Sequence, residues 1–183
     1  GTPSLTSLDD MRAIVAAVRA EYDIAPDAEW TLEANPTELT REHLEGLRGL
    51  GINRLSMGVQ SMRPEELKLL EREHTPERVV QAVEDARAAG FDNLNLDLIF
   101  GLIGQQPEHW QESLERVLQF RPEHLSCYAL LKSGVRRTSP SVLKGLAFLE
   151  QAELKSVYSV SVRLFKTMSA PTLAHGIWPG SRS

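Results

Sequence analysis

Apolar residues recur along the first 130 positions of the chain with two alternating spacings. A spacing of three to four residues is typical of one helix face, and it predicts helices over residues 8–22, 41–50, 64–71, 76–89 and 106–120. A spacing of two, or a short apolar run, predicts strands over residues 30–33, 54–60, 94–100 and 125–130. Because helix-length segments separate successive strands, we expect an α/β fold with a parallel sheet.

Start and stop signals support several of these boundaries. Ser7 or Thr6, and likewise Thr40, stand where a side chain caps the first backbone N–H groups of a helix. Gly51 and Gly90 follow two of the helices, where a left-handed residue is favoured. The alternation of elements favours a TIM-type (β/α) barrel or open barrel over a doubly wound sheet, although spacing alone does not decide between them.

Two elements also carry expectations about burial. On the first helix, the spacing predicts an inward face made of Met11, Ile14, Val15 and Val18. The strand over residues 94–100 has five apolar residues in seven positions, which suits a strand that is covered on both faces.

The composition is that of a globular protein of about one domain, since 42% of the 183 residues are apolar and 25% are charged. No apolar run predicts a membrane span and no N-terminal segment predicts a signal peptide, so we expect an intracellular protein. The net charge of -5 argues against a nucleic-acid partner, because phosphate contacts need a surplus of Lys and Arg. The single cysteine, Cys127, cannot supply the cluster of ligands that zinc or iron–sulfur sites require, so any metal site should lie outside this chain.

The charge changes sign near residue 132. Residues 1–132 contain 13 Lys and Arg against 23 Asp and Glu, whereas residues 133–183 contain 7 against 2. Serine changes as well, with 6 in the first part and 9 in the second. We therefore treat residues 1–132 as the α/β unit and residues 133–183 as a separate, divergent tail.

Polar residues stand near the carboxyl ends of the predicted strands, which is where parallel barrels place their chemistry. They are Glu33, Gln60, Asp97, and Ser126 or Tyr128. Asp97 is the strongest candidate, because burying a carboxylate inside an apolar strand costs free energy unless the carboxylate has a partner or a functional role.

Each candidate also has an ordinary structural interpretation. Asp97 could pair with Arg54 or Arg72, and Glu33 could accept N–H groups from the turn that follows it. Gln60 could be a loop residue that makes routine hydrogen bonds. Arg72 lies among charged neighbours, and a solvated helix face is its default interpretation.

Glycines and histidines add little chemistry of their own. The GTPS segment at residues 1–4 precedes a helix and could present N–H groups to an anion. The glycine-rich turn at residues 101–105 matches neither common nucleotide-binding motif. The five histidines show no metal-ligand spacing, and we assign none of them a catalytic role.

Six segments, taken in order, resemble one family. They are GTPS at 1–4, EANP at 33–36, GINRLSMGVQS at 51–61, REH at 72–74, NLDLIFGL at 95–102 and HLSCYAL at 124–130. Together they resemble the radical-SAM proteins related to oxygen-independent coproporphyrinogen III oxidase, and within that family the haem-chaperone branch. The resemblance covers about residues 1–132 and implies a partial radical-SAM barrel that lacks its N-terminal side.

The resemblance also implies cofactors and a site. Proteins of this family carry a [4Fe–4S] cluster on a Cys-x3-Cys-x2-Cys loop, with S-adenosylmethionine bound to the open iron. The matched positions for S-adenosylmethionine are Gly1, Thr2, Glu33, Gln60, Arg72, Asp97 and the backbone of Ala129. Carboxylates suit an ammonium group and ribose hydroxyls, and Arg72 suits the methionine carboxylate. The cysteine loop is absent from these 183 residues, so we expect no metal ligand and no radical chemistry from the chain alone.

The resemblance implies a role in porphyrin biosynthesis or haem trafficking, in the cytoplasm or, in a eukaryote, the mitochondrion. Its expected partners are S-adenosylmethionine, haem or a porphyrin, and a haem-accepting protein; whether the chain is an enzyme stays open. A first alternative is a non-catalytic haem-binding or protein-binding module, with Cys127, His74 or His124 as an axial ligand. A second is an unrelated barrel enzyme that uses Glu33 and Asp97 as an acid and base pair.

The tail matches the family poorly. Residues 151–154 and 158–165 faintly resemble the helix that follows in the family, whereas the residues around them do not. With the charge reversal, this suggests an altered reading frame around 133–148 and again near 167–174. A genuinely divergent tail is the alternative.

Overall fold

The structure is a computed structural model that describes residues 2–102 and 104–130 and, as backbone only, residues 173–176. The helices in these residues are α1 (Leu8–Glu21), α2 (Arg41–Gly49), α3 (Pro64–Leu69), α4 (Pro76–Ala88) and α5 (Pro107–Leu118). The strands are β1 (Thr31–Ala34), β2 (Arg54–Gln60), β3 (Leu94–Phe100), β4 (His124–Ala129) and β5 (Leu173–Gly176). Short 3-10 turns at Pro3–Leu5 and Pro36–Glu38 precede α1 and follow β1.

The helix boundaries follow the signals in the sequence. The Ser7 side chain accepts a hydrogen bond from the Asp10 N–H at the start of α1, and Thr40 caps α2 in the same way. Gly51 and Gly90 have φ angles of 101° and 88°, which a residue with a side chain rarely adopts. The predicted capping and stop positions are therefore confirmed.

The five strands form one sheet in the order β1-β2-β3-β4-β5, and every neighbouring pair is parallel. A doubly wound sheet reverses its strand order at a switch point, whereas this sheet continues in one direction. The order is that of a TIM-type barrel segment, and the predicted α/β class is confirmed.

The two faces of the sheet differ in chemistry. One face, which we call the apolar face, packs against the helices and holds Leu32, Ala34, Leu55, Met57, Val59, Leu94, Leu96, Leu98, Phe100, Leu125 and Cys127. The opposite face, which we call the polar face, holds Thr31, Glu33, Arg54, Ser56, Gly58, Asn95, Asp97, Ile99, Ser126 and Tyr128. The alternation follows from the two-residue period of a strand, so the pairing register decides which side chains share a face.

The burial expectations have different outcomes. On β3, Leu96, Leu98 and Phe100 are buried against the helices, and on the polar face Asn95 is buried while Asp97 and Ile99 are half-buried. On α1, Met11 and Val15 are buried, but Ile14 is 53% exposed. The buried face of this helix is therefore narrower than the spacing predicted, and it does not include Ile14.

The tail contributes one described element. Strand β5 pairs in parallel with β4, with Ala174 beside Leu125, although the sequence predicted no strand there. The division at residue 132 and the proposed frame changes fall on residues outside the described part of the chain, and they stay predictions. Within the described part, no helix combines the length and the apolar character needed to cross a membrane.

Candidate functional site

A cavity of about 200 Å³ opens on the polar face of the sheet. Its lining combines two carboxylates, a guanidinium, amides and hydroxyls: Thr2, Glu33, Ala34, Asn35, Ser56, Gly58, Gln60, Arg72 and Asp97. The lining residues come from three neighbouring strands and from the segments that follow or precede them. The cavity therefore lies where parallel sheets of this type collect functional groups.

Five of the seven candidate residues from the sequence meet in this cavity. They are Thr2, Glu33, Gln60, Arg72 and Asp97. Ala129 lies at the end of β4, paired with Phe100, and is not a lining residue. Gly1 lies outside the described residues.

Asp97 is held in a hydrogen-bonded network across three strands. The Asn95 side-chain N–H2 group donates to the Asp97 carboxylate at 2.8 Å and to the Ser56 hydroxyl at 2.9 Å. The Ser126 hydroxyl donates to the Asn95 carbonyl oxygen at 2.9 Å. The carboxylate thus has a neutral donor beside it rather than a cation.

The environment of Asp97 disfavours its charged form. Burial is the largest cause and raises the pKa of Asp97; hydrogen bonds from Asn95 and Ser126 oppose this rise, and the like charge of Glu33 adds to it. Perturbed carboxyl groups in clefts are common at functional sites.

Neither arginine serves as an ion-pair partner for Asp97. Arg54 lies 3.8 Å from the Glu29 carboxylate and also donates to the Thr31 hydroxyl. Within the described residues, neither Asp97 nor Arg72 makes an ion pair. The structural interpretation of Asp97 as half of an ion pair is therefore wrong.

Glu33 is exposed to the cavity, beside Ser56 in the register of the sheet. The turn after β1 does not use it: the Asn35 side chain accepts from the Thr37 N–H, and the Asn35 N–H donates to the Ser4 hydroxyl. The turn supplies its own cap, which leaves the Glu33 carboxylate available to a ligand.

Gln60 ends β2 in an unusual backbone conformation. Its φ angle is 68°, and the register with β3 shifts between Gly58 and Gln60. The side chain folds back over the strand, so that a Cβ atom added at Gly58 would lie 2.7 Å from the Gln60 Nε2 atom. The absence of a side chain at position 58 makes room for the Gln60 amide at the cavity.

Arg72 follows α3 and its side chain is exposed, as a solvated helix residue would be, yet it lines the same cavity as Glu33 and Asp97. Its neighbour His74 is buried, and the His74 Nε2 atom lies 3.0 Å from the Val59 carbonyl oxygen. The contact packs the segment that carries Arg72 against the end of β2.

Sequence reasoning missed five residues of the site. Ala34, Asn35, Ser56 and Gly58 line the cavity, and Asn95 lies beneath it. For three of them the signal was the two-residue period, since Ser56 and Gly58 share a strand face with Gln60 and Asn95 shares one with Asp97. Without the register between strands, nothing in the sequence joined them.

The residues present do not fit an iron–sulfur cluster. The one cysteine of the sequence, Cys127, is buried on the apolar face, and burial raises its pKa to about 12. No group of three or more His, Cys, Asp or Glu side chains in the described part of the chain could hold a metal ion. His74 and Cys127 are both buried, so neither side chain is exposed to bind haem as an axial ligand.

Known proteins match this chain over long stretches of sequence. The family model of the Radical SAM superfamily matches residues 1–117. The heme chaperone HemW of Mycobacterium tuberculosis is 38% identical over 131 residues, which cover 72% of this chain and 34% of that protein. HemW of Bacillus subtilis is 36% identical over 178 residues, or 97% of this chain and 45% of that protein. The chain thus spans less than half the length of either relative.

A solved structure shows the same architecture. Coproporphyrinogen III oxidase (HemN) from Escherichia coli, a radical SAM enzyme, superimposes with a TM-score of 0.79 and 27% sequence identity over 91% of this chain and 38% of that one. The parallel sheet, wound in one direction, and the match over 117 residues together show that this chain belongs to the radical SAM superfamily.

Proposed function

We propose that the cavity binds S-adenosylmethionine and that the chain is part of a HemW-like haem chaperone of the radical SAM superfamily. The observation that carries the proposal is that the cavity gathers Thr2, Glu33, Gln60, Arg72 and Asp97 from five separate parts of the sequence. The superfamily match and the HemW relatives support the choice of ligand and of family branch.

The charges of the cavity complement those of the ligand. S-adenosylmethionine carries a sulfonium and an ammonium group against one carboxylate, and the cavity offers two carboxylates against one guanidinium. Arg72 suits the methionine carboxylate, because a guanidinium binds a carboxylate through paired hydrogen bonds. Glu33 and Asp97 suit the ammonium group and the ribose hydroxyls.

The other assigned residues contribute polar and backbone contacts. Gln60 can both donate and accept through its amide, and Thr2 brings a hydroxyl near the start of the chain. We assign backbone contacts to Gly1 and Ala129 on the resemblance alone.

S-adenosylmethionine supplies a sulfonium-activated adenosyl group when it is bound. Since the chain does not provide the ligands of a [4Fe–4S] cluster, we derive no reductive step from it. We expect the 183-residue chain to bind S-adenosylmethionine without turning it over.

For the whole protein we propose haem delivery rather than oxidation of a porphyrinogen. The two HemW relatives described above, from Mycobacterium tuberculosis and Bacillus subtilis, share 38% and 36% identity with this chain, against 27% for the oxidase. Haem or a porphyrin and a haem-accepting protein are the partners that this proposal implies, in the cytoplasm or, in a eukaryote, the mitochondrion.

Calorimetric titration of the chain with S-adenosylmethionine and with S-adenosylhomocysteine tests the binding proposal. S-adenosylhomocysteine lacks the sulfonium charge and should bind more weakly. We expect Arg72→Gln and Asp97→Asn each to weaken binding about tenfold, from the loss of one hydrogen bond to a charged group.

Arg41→Gln is the matched control, because Arg41 pairs with Glu45 on the exposed side of α2 and does not line the cavity. If the folded chain binds neither compound, or if Arg72→Gln and Arg41→Gln bind equally well, the cavity is not an S-adenosylmethionine site. A haem titration followed by the Soret band separately tests the haem assignment.

A further inference from the structure

Asn95 lies beneath the cavity without lining it. Its side chain is buried, with 4% of its surface exposed, on the polar face of β3. It is the central member of the network that links Ser56 of β2, Asp97 of β3 and Ser126 of β4. Neither the composition of the strand nor the family resemblance singled it out.

The hydrogen bonds of Asn95 fix which way its amide points. The amide nitrogen has two N–H groups, which donate to the Asp97 carboxylate and the Ser56 hydroxyl, and its oxygen accepts from the Ser126 hydroxyl. A rotation of the amide by half a turn would place the carbonyl oxygen against the Asp97 carboxylate. The Asp97 carboxylate, which can only accept, therefore determines that Asn95 presents its N–H2 group, and the two serine hydroxyls, which can donate or accept, hold the amide on its other sides.

We propose that Asn95 is a positioning residue that orients the Asp97 carboxylate in the cavity and keeps it ionised as a hydrogen-bond acceptor. The inference rests on the proposed binding of S-adenosylmethionine, whose ammonium group and ribose hydroxyls need an acceptor at this point. Ser126 and Ser56 hold the amide in place, and their hydroxyls also oppose the rise in the pKa of Asp97, each by less than Asn95 does.

The surroundings of Asp97 explain why such a residue is needed. Burial and the like charge of Glu33 on β1 favour the protonated carboxyl, and Cys127, on the apolar face of β4, is neutral because burial raises its pKa. Arg72 is the cation of the cavity, but it makes no ion pair with Asp97 within the described residues. A protonated Asp97 would offer no negative charge to the ligand. The N–H group of Asn95 donates a hydrogen bond to the ionised carboxylate and so stabilises the charged form, as a neighbouring cation would otherwise do.

The test measures the affinity for S-adenosylmethionine against pH for the chain and for Asn95→Ala. We expect Asn95→Ala to weaken binding about tenfold near neutral pH and to move the pH at which binding falls by half to a higher value. Ser126→Ala should move this midpoint in the same direction by a smaller amount, because it frees the amide without removing it.

Asn93→Ala is the matched control. Asn93 is an asparagine two positions earlier, and its side chain donates to the exposed Glu29 outside the cavity. Glu33→Gln removes the like charge, and the shift caused by Asn95→Ala should persist in that background. If Asn95→Ala weakens binding but leaves the midpoint where it is in the unaltered chain, Asn95 has only a structural role and the proposal is overturned.

A measurement without ligand separates this inference from the proposed function. The carboxyl carbon of Asp97 can be titrated by NMR in the ligand-free chain, and the pKa of Asp97 should be higher in Ser126→Ala, and higher still in Asn95→Ala, than in the unaltered chain. If this order holds while S-adenosylmethionine does not bind, the proposed ligand is wrong and the role of Asn95 stands. If binding occurs and the pKa of Asp97 is the same in all three, the role of Asn95 is refuted.

Discussion

The two faces of the sheet carry different kinds of information. On the apolar face, Leu55, Met57, Leu96 and Leu98 are fully buried against the helices. On the polar face, residues adjacent to them in sequence, such as Ser56 and Asp97, line a cavity. The same strands thus carry the core on one side and the candidate site on the other.

The difference shows how stability and binding are separated in this fold. The apolar face is stabilised by burial, which depends on area and packing, so that a loss of side-chain volume there lowers the free energy of unfolding. Among the described residues, Asp97 on the polar face has the Asn95 amide beside it and makes no ion pair, and the Gln60 amide is turned back over Gly58. Substitutions on the apolar face should therefore change mainly the free energy of unfolding, and substitutions in the cavity should change mainly the affinity for S-adenosylmethionine.

The largest effect is expected from Leu96→Ala on the apolar face. Leu96 is fully buried, and its truncation should lower the free energy of unfolding by about 2–5 kcal/mol. Urea denaturation measures this loss. The adjacent variant Asp97→Asn lies on the polar face and should leave the free energy of unfolding unchanged or slightly raised; an equal loss in both variants would contradict the separation of the two faces.

The next effect is expected from Ser113→Ala, which tests a polar group on the helix side of the sheet. The Ser113 hydroxyl of α5 accepts a hydrogen bond from the Met62 N–H just after β2, and both residues are buried. Its removal leaves that N–H unsatisfied and should cost about 1–3 kcal/mol in the free energy of unfolding. Gln111→Ala, at an exposed site on the same helix, should change it by less than about 0.5 kcal/mol, and a similar loss in both would refute the interpretation.

A smaller effect is expected from Gly58→Ala, which changes the shape of the cavity but none of its charges. The new methyl group would lie 2.7 Å from the Gln60 amide nitrogen and displace that amide. The displaced rotamer should weaken S-adenosylmethionine binding by about three- to tenfold in calorimetry. Gly49→Ala serves as the control because a Cβ atom there meets no other atom within 4 Å, and its affinity should not change.

The smallest effect is the pH dependence that Asp97 gives to the stability of the ligand-free chain. Its pKa is raised in the folded state, so the folded chain holds this proton more tightly than the unfolded chain does. The contribution of Asp97 is therefore fully present below the ordinary pKa of an aspartate and is lost as the pH rises through the raised value. Thermal melting between about pH 4 and pH 7 should show this extra decline in the chain and not in Asp97→Asn; parallel pH profiles would contradict it.

Much of the fold could be predicted because its signals are local. The bounds of β2 and β3 match the predicted 54–60 and 94–100, and Ser7, Thr40, Gly51 and Gly90 act as the predicted caps and stops. The exposure of Ile14 could not be predicted in this way, because it depends on how widely the neighbouring elements cover α1.

The candidate site was predicted in part. Asp97, Glu33 and Gln60 are polar residues near strand ends, a pattern that one strand reveals by itself. Arg72 entered only through the family resemblance, because its charged neighbours are typical of a solvated helix face. Asn95 was missed because its importance comes from hydrogen bonds to neighbouring strands, and these depend on the register of the sheet.

The sequence by itself determined the order of helices and strands, the side chains that alternate along each strand and the family to which the chain belongs. The first two depend on residues that are near one another along the chain, and the third depends on short segments that can be recognised without knowing the fold. The tertiary structure decided that Thr2 and Asp97, which are far apart in sequence, line one cavity, and that Asp97 faces Asn95 rather than an arginine. The reason is that the strand order and register, and with them the electrostatic surroundings of each group, exist only once the parallel strands have paired.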